Sequence, residues 1–524
     1  MRRLIHSPYF LLTVWSALLL LTSQSHPSLM AHDEGNFAVE ARFMVESGHW
    51  LARQWWGNPV YTHGIALNWL MASSYSLFGR SEVAVRLPSL LACLVSVVLI
   101  YSIGRRLLTR SQALVAALLL PVMPLYLQYG HLATQDMLLV CLELTGIWAL
   151  LQAEQSRERI YWGLLAGSIV GIGFLVKSFM IALPAIALLP YLVGQNGRHR
   201  HLANPGIYVG LIGGILVVFT WLHLSVLTYG AGVLNQLFGK LSELSEPFHP
   251  DAGPLYYFWN IPVNAFPWGL FALVGLGLAL RHYRTSPYRL LLIGYPVVLL
   301  ALLCLFPTRT PYYALQLYPF MALFSGLALD HLIQKLNHWF PRFLSYSFGL
   351  LGGLLLLAGI IAITKPDLLP ADVAAYGLTA LGLGLGLSLL PMTWHTQQKR
   401  SPQIWLANWL GAFWLGFAIA GLTGVWGNYS PTLKAALQSP PLASVLAAHA
   451  VDFVVAAPVD GETNKTWVLL TFYTPHLGQL YPHLSNLPPD AYAWVSPGAE
   501  LATGVIYQEL GQIQQWRLIH KQAA

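Results

Sequence analysis

The sequence predicts an α-helical polytopic membrane protein with about 13 transmembrane helices, interfacial helices on the outer face and a small C-terminal outer α/β domain. Three observations carry that expectation. The 524-residue chain is 56% hydrophobic and only 9% charged, against about 25% in an ordinary soluble domain. Its mean hydropathy is +0.56, and apolar runs close to the roughly 20 residues needed to span a bilayer recur from Leu4 to Trp426. Lys and Arg gather in short loops two spans apart, as the positive-inside rule requires.

Taken in order, the spans fall near 4–22, 84–104, 112–129, 137–153, 161–176, 179–194, 206–228, 255–280, 290–306, 312–332, 343–363, 371–392 and 404–426. The first follows Arg2-Arg3 and has no small-residue cleavage pattern after it, so it reads as a retained signal anchor. Basic clusters at Arg2-Arg3, Arg105-Arg106 with Arg110, Arg157/Arg159, Arg198/Arg200, Arg281/Arg284/Arg289, Lys335/Arg342 and Lys399-Arg400 mark the cytoplasmic loops. The N-terminus is then inside and the C-terminus outside. The run His63–Phe78 breaks this alternation, because as a span it would put Arg105-Arg106 outside. It is also interrupted by Asn68, Ser73, Ser74 and Ser76. It therefore reads as an interfacial or re-entrant helix on the outer face, with Trp69 and Tyr75 suited to that depth.

The expected organisation is a membrane domain, 1–426, and an extracytoplasmic domain, 427–524. The first outer loop, 23–83, contains a segment in which Phe37, Phe43, Met44 and Val45 alternate with Glu40, Arg42 and Glu46, suiting a helix that lies along the membrane surface. The second outer loop, 229–254, carries Lys240, Glu243, Glu246, His249 and Asp251. Beyond Trp426, strand-like runs at Asp452–Ala457 and Thr466–Tyr473 alternate with Pro- and Gly-containing turns, and Asn464-Lys465-Thr466 matches a glycosylation acceptor.

Several function classes are disfavoured. The net charge of +7 is distributed by loop, as topology demands, and is no nucleic-acid signature. No Gly-rich phosphate loop precedes a helix, so no soluble nucleotide donor is expected. Cys93, Cys141 and Cys304 lie in expected spans at no metal-ligand spacing.

The topology places Asp33, Glu34, His63, Asp136, Lys177, His249, Asp251 and Arg309 at the outer mouths of spans. Four of these, and Glu143, have a structural reading: Asp33 as a helix N-cap, Asp136 and Glu143 (seven residues deeper on the same helix face) as hydrogen-bonding groups between helices, Lys177 as a snorkelling lysine, Arg309 as an interfacial anchor. Together they offer acids for proton or metal work and cations for a phosphate at one membrane face. That combination suits chemistry on a lipid phosphate: Lys and Arg neutralise a leaving phosphate, and a carboxylate takes the proton of an acceptor hydroxyl or holds a metal. A transporter or lipid flippase with a path along Asp136, Glu143 and Lys177 is the alternative, but no repeated halves with broken helices are visible.

The order and spacing of several short pieces resemble a known superfamily. They are Asp33-Glu34, Ala41-Arg42-Phe43-Met44-Val45-Glu46-Ser47-Gly48-His49-Trp50-Leu51, Leu77-Phe78-Gly79 with Ser81-Glu82, Arg86-Leu87-Pro88-Ser89, Gly104-Arg105-Arg106-Leu107, Leu132-Ala133-Thr134-Gln135-Asp136, Gly173-Phe174-Leu175-Val176-Lys177, Gly253-Pro254-Leu255-Tyr256-Tyr257, Phe266-Pro267-Trp268 and Pro311-Tyr312-Tyr313 through Tyr318-Pro319. Over residues 4–330 the chain is similar to the polyprenyl-phosphate-sugar-dependent membrane glycosyltransferases of the GT-C fold, in particular the protein mannosyltransferase-like and lipid A aminoarabinose transferase groups. The resemblance implies an inverting transfer from a polyprenyl-phosphate sugar to a lipid, glycan or protein acceptor, at the outer face of an inner or plasma membrane and without nucleic acid. It implies Asp33 as the catalytic acid residue, Asp136 as a second essential acid with Glu34 beside the first, and Lys177, Arg309, His63 and Tyr313 as donor-phosphate contacts. A divalent metal ion is the one cofactor implied, with His249 and Asp251 as its candidate ligands. Two departures stand out. His63-Gly64-Ile65 replaces a Lys-Pro-Pro or His-Pro-Pro pattern, and Asn36-Phe37 replaces the Arg-Tyr pair of the aminoarabinose transferases, which argues against the same substrate.

Overall fold

Apolar helices of spanning length dominate the computed structural model, which describes residues 7–243, 253–397, 401–456, 461–499 and 506–522. Among the described residues, eight helices are long and apolar enough to cross a membrane, or up to ten if each of two bent pairs is one span. The bent pairs are Arg110–Val122 with Pro124–Gly130 (63°) and Tyr256–Asn264 with Trp268–His282 (116°). Two shorter apolar helices, Pro8–Thr22 and Leu290–Leu305, lie where spans 4–22 and 290–306 were expected. The expected spans 161–176 and 179–194 form one 36-residue stretch, Arg159–Gly194. It is interrupted after Lys177, where Ser178 takes φ 47° and ψ −130°. Helix Ala66–Phe78 has 13 residues, about 20 Å of rise, too short for a hydrocarbon core of about 30 Å.

The chain divides into two units. The membrane unit comprises Met1–His26, Tyr61–Leu67 and Leu87–Gly427; the sheet unit comprises Pro27–Val60, Asn68–Arg86 and Asn428–Ala524. Most of the first outer loop, within Pro27–Val60 and Asn68–Arg86, groups with the C-terminal residues.

In the membrane unit, helix Arg159–Lys177 packs backbone to backbone on helix Pro205–Tyr229. A Cβ on Gly167 would lie 2.0 Å from the Ile207 carbonyl oxygen, and one on Gly210 would lie 2.0 Å from that of Leu164. Small residues four apart on both helices (Gly163, Gly167, Gly171; Gly206, Gly210, Gly214) make this approach possible. The opposite face of Pro205–Tyr229 exposes Val209, Ile212 and Phe219, as a lipid-facing surface would.

In the sheet unit, five strands run in the order Leu477–Tyr481, Val451–Val454, Tyr492–Val495, Trp516–Lys521, Tyr507–Ile513. The first three are parallel and the last two antiparallel to their neighbours. This is the expected small α/β domain, with one correction. Thr466–Tyr473 is not a strand but the end of helix Gly461–Tyr473. Its β-branched and aromatic residues read as strand by propensity, but Thr466, Leu469, Leu470 and Phe472 are buried in the unit, and packing overrides propensity. The Asn464-Lys465-Thr466 acceptor pattern thus lies within a helix, with Thr466 buried and bonded to the Glu462 carbonyl.

Helix Asn36–Ser47 requires a second correction. It is not a surface helix with its charges facing water: Glu40 and Arg42 are both buried. Arg53 donates to Glu40 at 3.0 Å, and Asn68 donates to the same carboxylate at 3.3 Å. Arg42 donates to the carbonyls of Thr471 (2.6 Å), Thr474 (2.7 Å) and Pro475 (3.0 Å), satisfying the otherwise orphaned C-terminal end of helix Gly461–Tyr473. Burial and neighbouring Arg80 pull its guanidinium down to about 10, against the pull of Glu46. Burial pushes the Glu40 carboxyl up, with Arg53 and Asn68 opposing.

The most enclosed pair of the sheet unit is Glu34–Arg86, each 0% exposed. Arg86 donates to both carboxylate oxygens, at 2.7 and 2.8 Å, and to the Ser28 carbonyl at 2.8 Å. Removing one member of such a pair leaves a buried charge uncompensated, at a cost of about 3–5 kcal/mol. Arg86→Ala is therefore expected to lower the thermal unfolding midpoint of the purified protein sharply; an unchanged midpoint would remove the pair from this role.

Candidate active site

Two clusters hold the residues singled out from the sequence, one in each unit. In the sheet unit, Asp33 and Glu34 lie on a single π-helical turn, Ala31–Gly35, that leads into helix Asn36–Ser47. Its widened turn is closed by a Gly35 N–H donating to the Met30 carbonyl at 2.7 Å. Such turns recur at functional sites. A Cβ on Gly35 would lie 2.8 Å from Val468, which fixes how closely the turn sits on helix Gly461–Tyr473. Met30, not Asp33, occupies the capping position of the turn, so the N-cap reading of Asp33 does not hold.

The turn sends the two acids into opposite environments. Glu34 points inward, where Arg86 takes both of its oxygens and the Met30 N–H donates to one at 3.0 Å. A carboxylate so engaged serves as a structural anchor. Asp33 is exposed.

In the membrane unit, Asp136 lies in the first turn of helix Gln135–Ala153, and Lys177 is the last residue of helix Arg159–Lys177. The two form an ion pair, with side chains only 9% and 11% exposed. The Lys177 ammonium also sits 5.1 Å from the ring centroids of both Tyr312 and Tyr313, close enough for cation–π attraction. One anion and two aromatic faces thus surround a lysine at a chain break. An ammonium has three donors, so this group can hold a phosphate oxygen while Asp136 and the rings keep it in place.

His63 belongs to the same unit and hydrogen-bonds through Nδ1 with Thr62 at 3.0 Å. Next to it, Gly64 explains the departure from the proline-containing pattern. A Cβ there would lie 2.1 Å from the Leu175 carbonyl oxygen, two residues before Lys177. Gln135 donates to the Gly64 carbonyl at 3.3 Å, so the His63-Gly64 segment is pinned between the residue preceding Asp136 and the helix end bearing Lys177. Arg309 lies in the loop before the turn Pro311–Leu317 that carries both tyrosines, and donates to the carbonyls of Cys304 (3.3 Å) and Pro307 (3.5 Å). Glu143 is buried, with the Tyr295 hydroxyl as its polar neighbour.

Sequence reasoning missed Tyr312 and Gly64. The Tyr312-Tyr313 doublet was a visible signal; nothing in the sequence marked the close approach at Gly64. His249 and Asp251 lie outside the described residues, and among the described residues no three His, Cys, Asp or Glu side chains converge so as to hold a metal ion.

Comparison with known proteins shows what the chain resembles in fold and in sequence. The model of the family described as dolichyl-phosphate-mannose-protein mannosyltransferase matches residues 62–223. An undecaprenyl phosphate-alpha-4-amino-4-deoxy-L-arabinose arabinosyl transferase of Pseudomonas fluorescens is 27% identical over 415 residues, 77% of this chain and 74% of that protein. One from Pseudomonas aeruginosa is 27% identical over 353 residues, 62% of this chain and 60% of the relative. The crystal structure of ArnT from Cupriavidus metallidurans bound to undecaprenyl phosphate superposes with a TM-score of 0.77 at 19% identity, covering 98% of each chain. The apo oligosaccharyltransferase of Archaeoglobus fulgidus superposes with a TM-score of 0.51 at 13% identity, covering 92% of this chain and 65% of that one. The chain thus has the GT-C fold and is similar in sequence to polyprenyl-phosphate-sugar-dependent membrane glycosyltransferases, the undecaprenyl phosphate-aminoarabinose arabinosyl transferases among them.

Proposed function

We propose that this protein transfers a sugar from a polyprenyl phosphate, undecaprenyl phosphate by analogy with its relatives, to a hydroxyl of a lipid, glycan or protein acceptor at the outer membrane face. The observation that carries the reading is the lysine held between Asp136, Tyr312 and Tyr313 at a helix break. It is a cation placed and oriented for a phosphate in a chain otherwise poor in charge. An apolar groove of about 150 Å³ between neighbouring helices, lined by Tyr257, Ile261, Leu273, Leu300, Leu317 and Phe324, suits the isoprenoid chain of the donor.

In the inverting reaction, Asp33 takes the proton of the acceptor hydroxyl and the acceptor oxygen bonds to the anomeric carbon. The bond from that carbon to the phosphate oxygen breaks on the opposite side. The pair of electrons leaves with the polyprenyl phosphate, whose added charge Lys177 and Arg309 neutralise. The flippase alternative loses its motivation: Asp136 and Lys177 compensate each other instead of lining a charged path. The relatives are named as transferases. The substrate in their names makes the 4-amino-4-deoxy-arabinose donor the first to assay, and Asn36-Phe37 makes a panel of other polyprenyl-phosphate sugars the second. Assays with and without EDTA test the divalent cation that the sequence admits.

Asp33→Asn is expected to lower transfer by about 10²–10⁴-fold without moving the thermal midpoint, whereas Glu34→Gln lowers the midpoint because a neutral amide leaves Arg86 uncompensated. Wild-type turnover in Asp33→Asn would reject the assignment. Lys177→Ala is expected to raise the donor KM at least about tenfold and to cost stability by stranding Asp136. The double variant Asp136→Asn/Lys177→Ala should recover that stability but not donor use. Unchanged donor dependence in Lys177→Ala and Arg309→Ala would overturn the phosphate role.

A further inference from the structure

At the opposite end of the membrane unit from Lys177 lies a cavity of about 740 Å³ that the transfer reaction does not use. Gln152, in its wall, is on the helix whose first turn carries Asp136, sixteen residues further along and so about 24 Å away. Three helices line the cavity: Pro8–Thr22 through Tyr9, Glu82–Leu107 through Ser102, Arg105 and Arg106, and Gln135–Ala153 through Trp148 and Gln152.

Its chemistry is graded along the helix axis. At the rim, the Arg105 guanidinium lies 5.8 Å from the Tyr101 ring centroid, and Arg106 donates to Gln152 Oε1 at 3.3 Å. Ser102 donates to the Tyr9 hydroxyl at 3.4 Å. Val98 and Leu99, about two turns and roughly 10 Å deeper than Arg105, make the inner wall apolar. Among the described residues, no carboxylate lies within ion-pair distance of either arginine. Two adjacent cations without a protein counter-charge, in the last turn of a spanning helix, sit at the depth of lipid phosphates on the face that the positive-inside rule assigns to the cytoplasm.

We propose that this cavity binds an anionic phospholipid from that leaflet. Arg105 and Arg106 hold the phosphodiester, the hydroxyl and amide groups of Ser102 and Gln152 meet the glyceryl ester groups, and the first methylenes of an acyl chain enter beside Val98 and Leu99. A zwitterionic lipid carries its own cation and gains less from two arginines, so the site discriminates by net charge.

The test uses the purified full chain in nanodiscs of phosphatidylcholine containing a minority of phosphatidylglycerol, with retained lipids counted by native mass spectrometry after release into detergent. The wild type is expected to keep one phosphatidylglycerol in preference to phosphatidylcholine. Arg105→Gln/Arg106→Gln should reduce its retention at least about fivefold, and Arg105→Lys/Arg106→Lys should restore most of it. Equal retention of the two lipids by the wild type overturns the proposal without reliance on any variant. So does undiminished phosphatidylglycerol retention by the Gln variant. Displacement of the lipid by excess inorganic phosphate would show a simple anion site and overturn the lipid assignment as well.

Discussion

The sheet unit is organised around one buried ion pair. Glu34 and Arg86 are both withdrawn from water, and such a pair is tolerable only when nearly every lone pair and N–H is met. Here the carboxylate has Arg86 and the Met30 N–H, and the guanidinium also has the Ser28 carbonyl. Satisfying these groups holds the segment Ser28–Gly35 in place. The same segment is tied to Asn428 through the Ser28 hydroxyl and to Tyr473 through the Leu29 N–H. The same turn leaves Asp33 exposed while Glu34 and Gly35 are buried. Two adjacent acids thus acquire unrelated duties, one by burial and one by exposure.

The membrane unit uses a lighter version of the same physics. Lys177 has a single carboxylate partner and two aromatic faces, and its surroundings are not sealed. Cation–π attraction holds the ammonium without consuming its hydrogen-bond donors. A fully satisfied pair such as Glu34–Arg86 can only hold structure together. Lys177 is held less completely, by one ion pair and two ring faces.

Much of this was legible in the sequence, for identifiable reasons. Apolar runs and loop cations revealed a polytopic helical protein because hydrocarbon leaves the backbone few choices. The acids and cations of the site stood out because charge is scarce in this chain. What escaped depended on contacts between segments far apart in sequence. Glu40 and Arg42 look like the wet face of an amphipathic helix; nothing local shows that Arg53 and Asn68 meet the one and the end of helix Gly461–Tyr473 meets the other. Thr466–Tyr473 reads as a strand until its burial is known. The role of Gly64 is invisible without the Leu175 carbonyl lying against it.

The glycine rows joining helix Arg159–Lys177 to helix Pro205–Tyr229 have a consequence for how this protein can diversify. With backbones in such close approach, the two helices move as a single rod, and any side chain larger than glycine at the crossing would push them apart. Lys177 stands at the tip of that rod, so its position is a fixed coordinate of the fold. A lineage adapting to a new donor has little freedom to relocate the cation. It has more in the loop and short turn that carry Arg309, Tyr312 and Tyr313, which can be rewritten without unseating a helix.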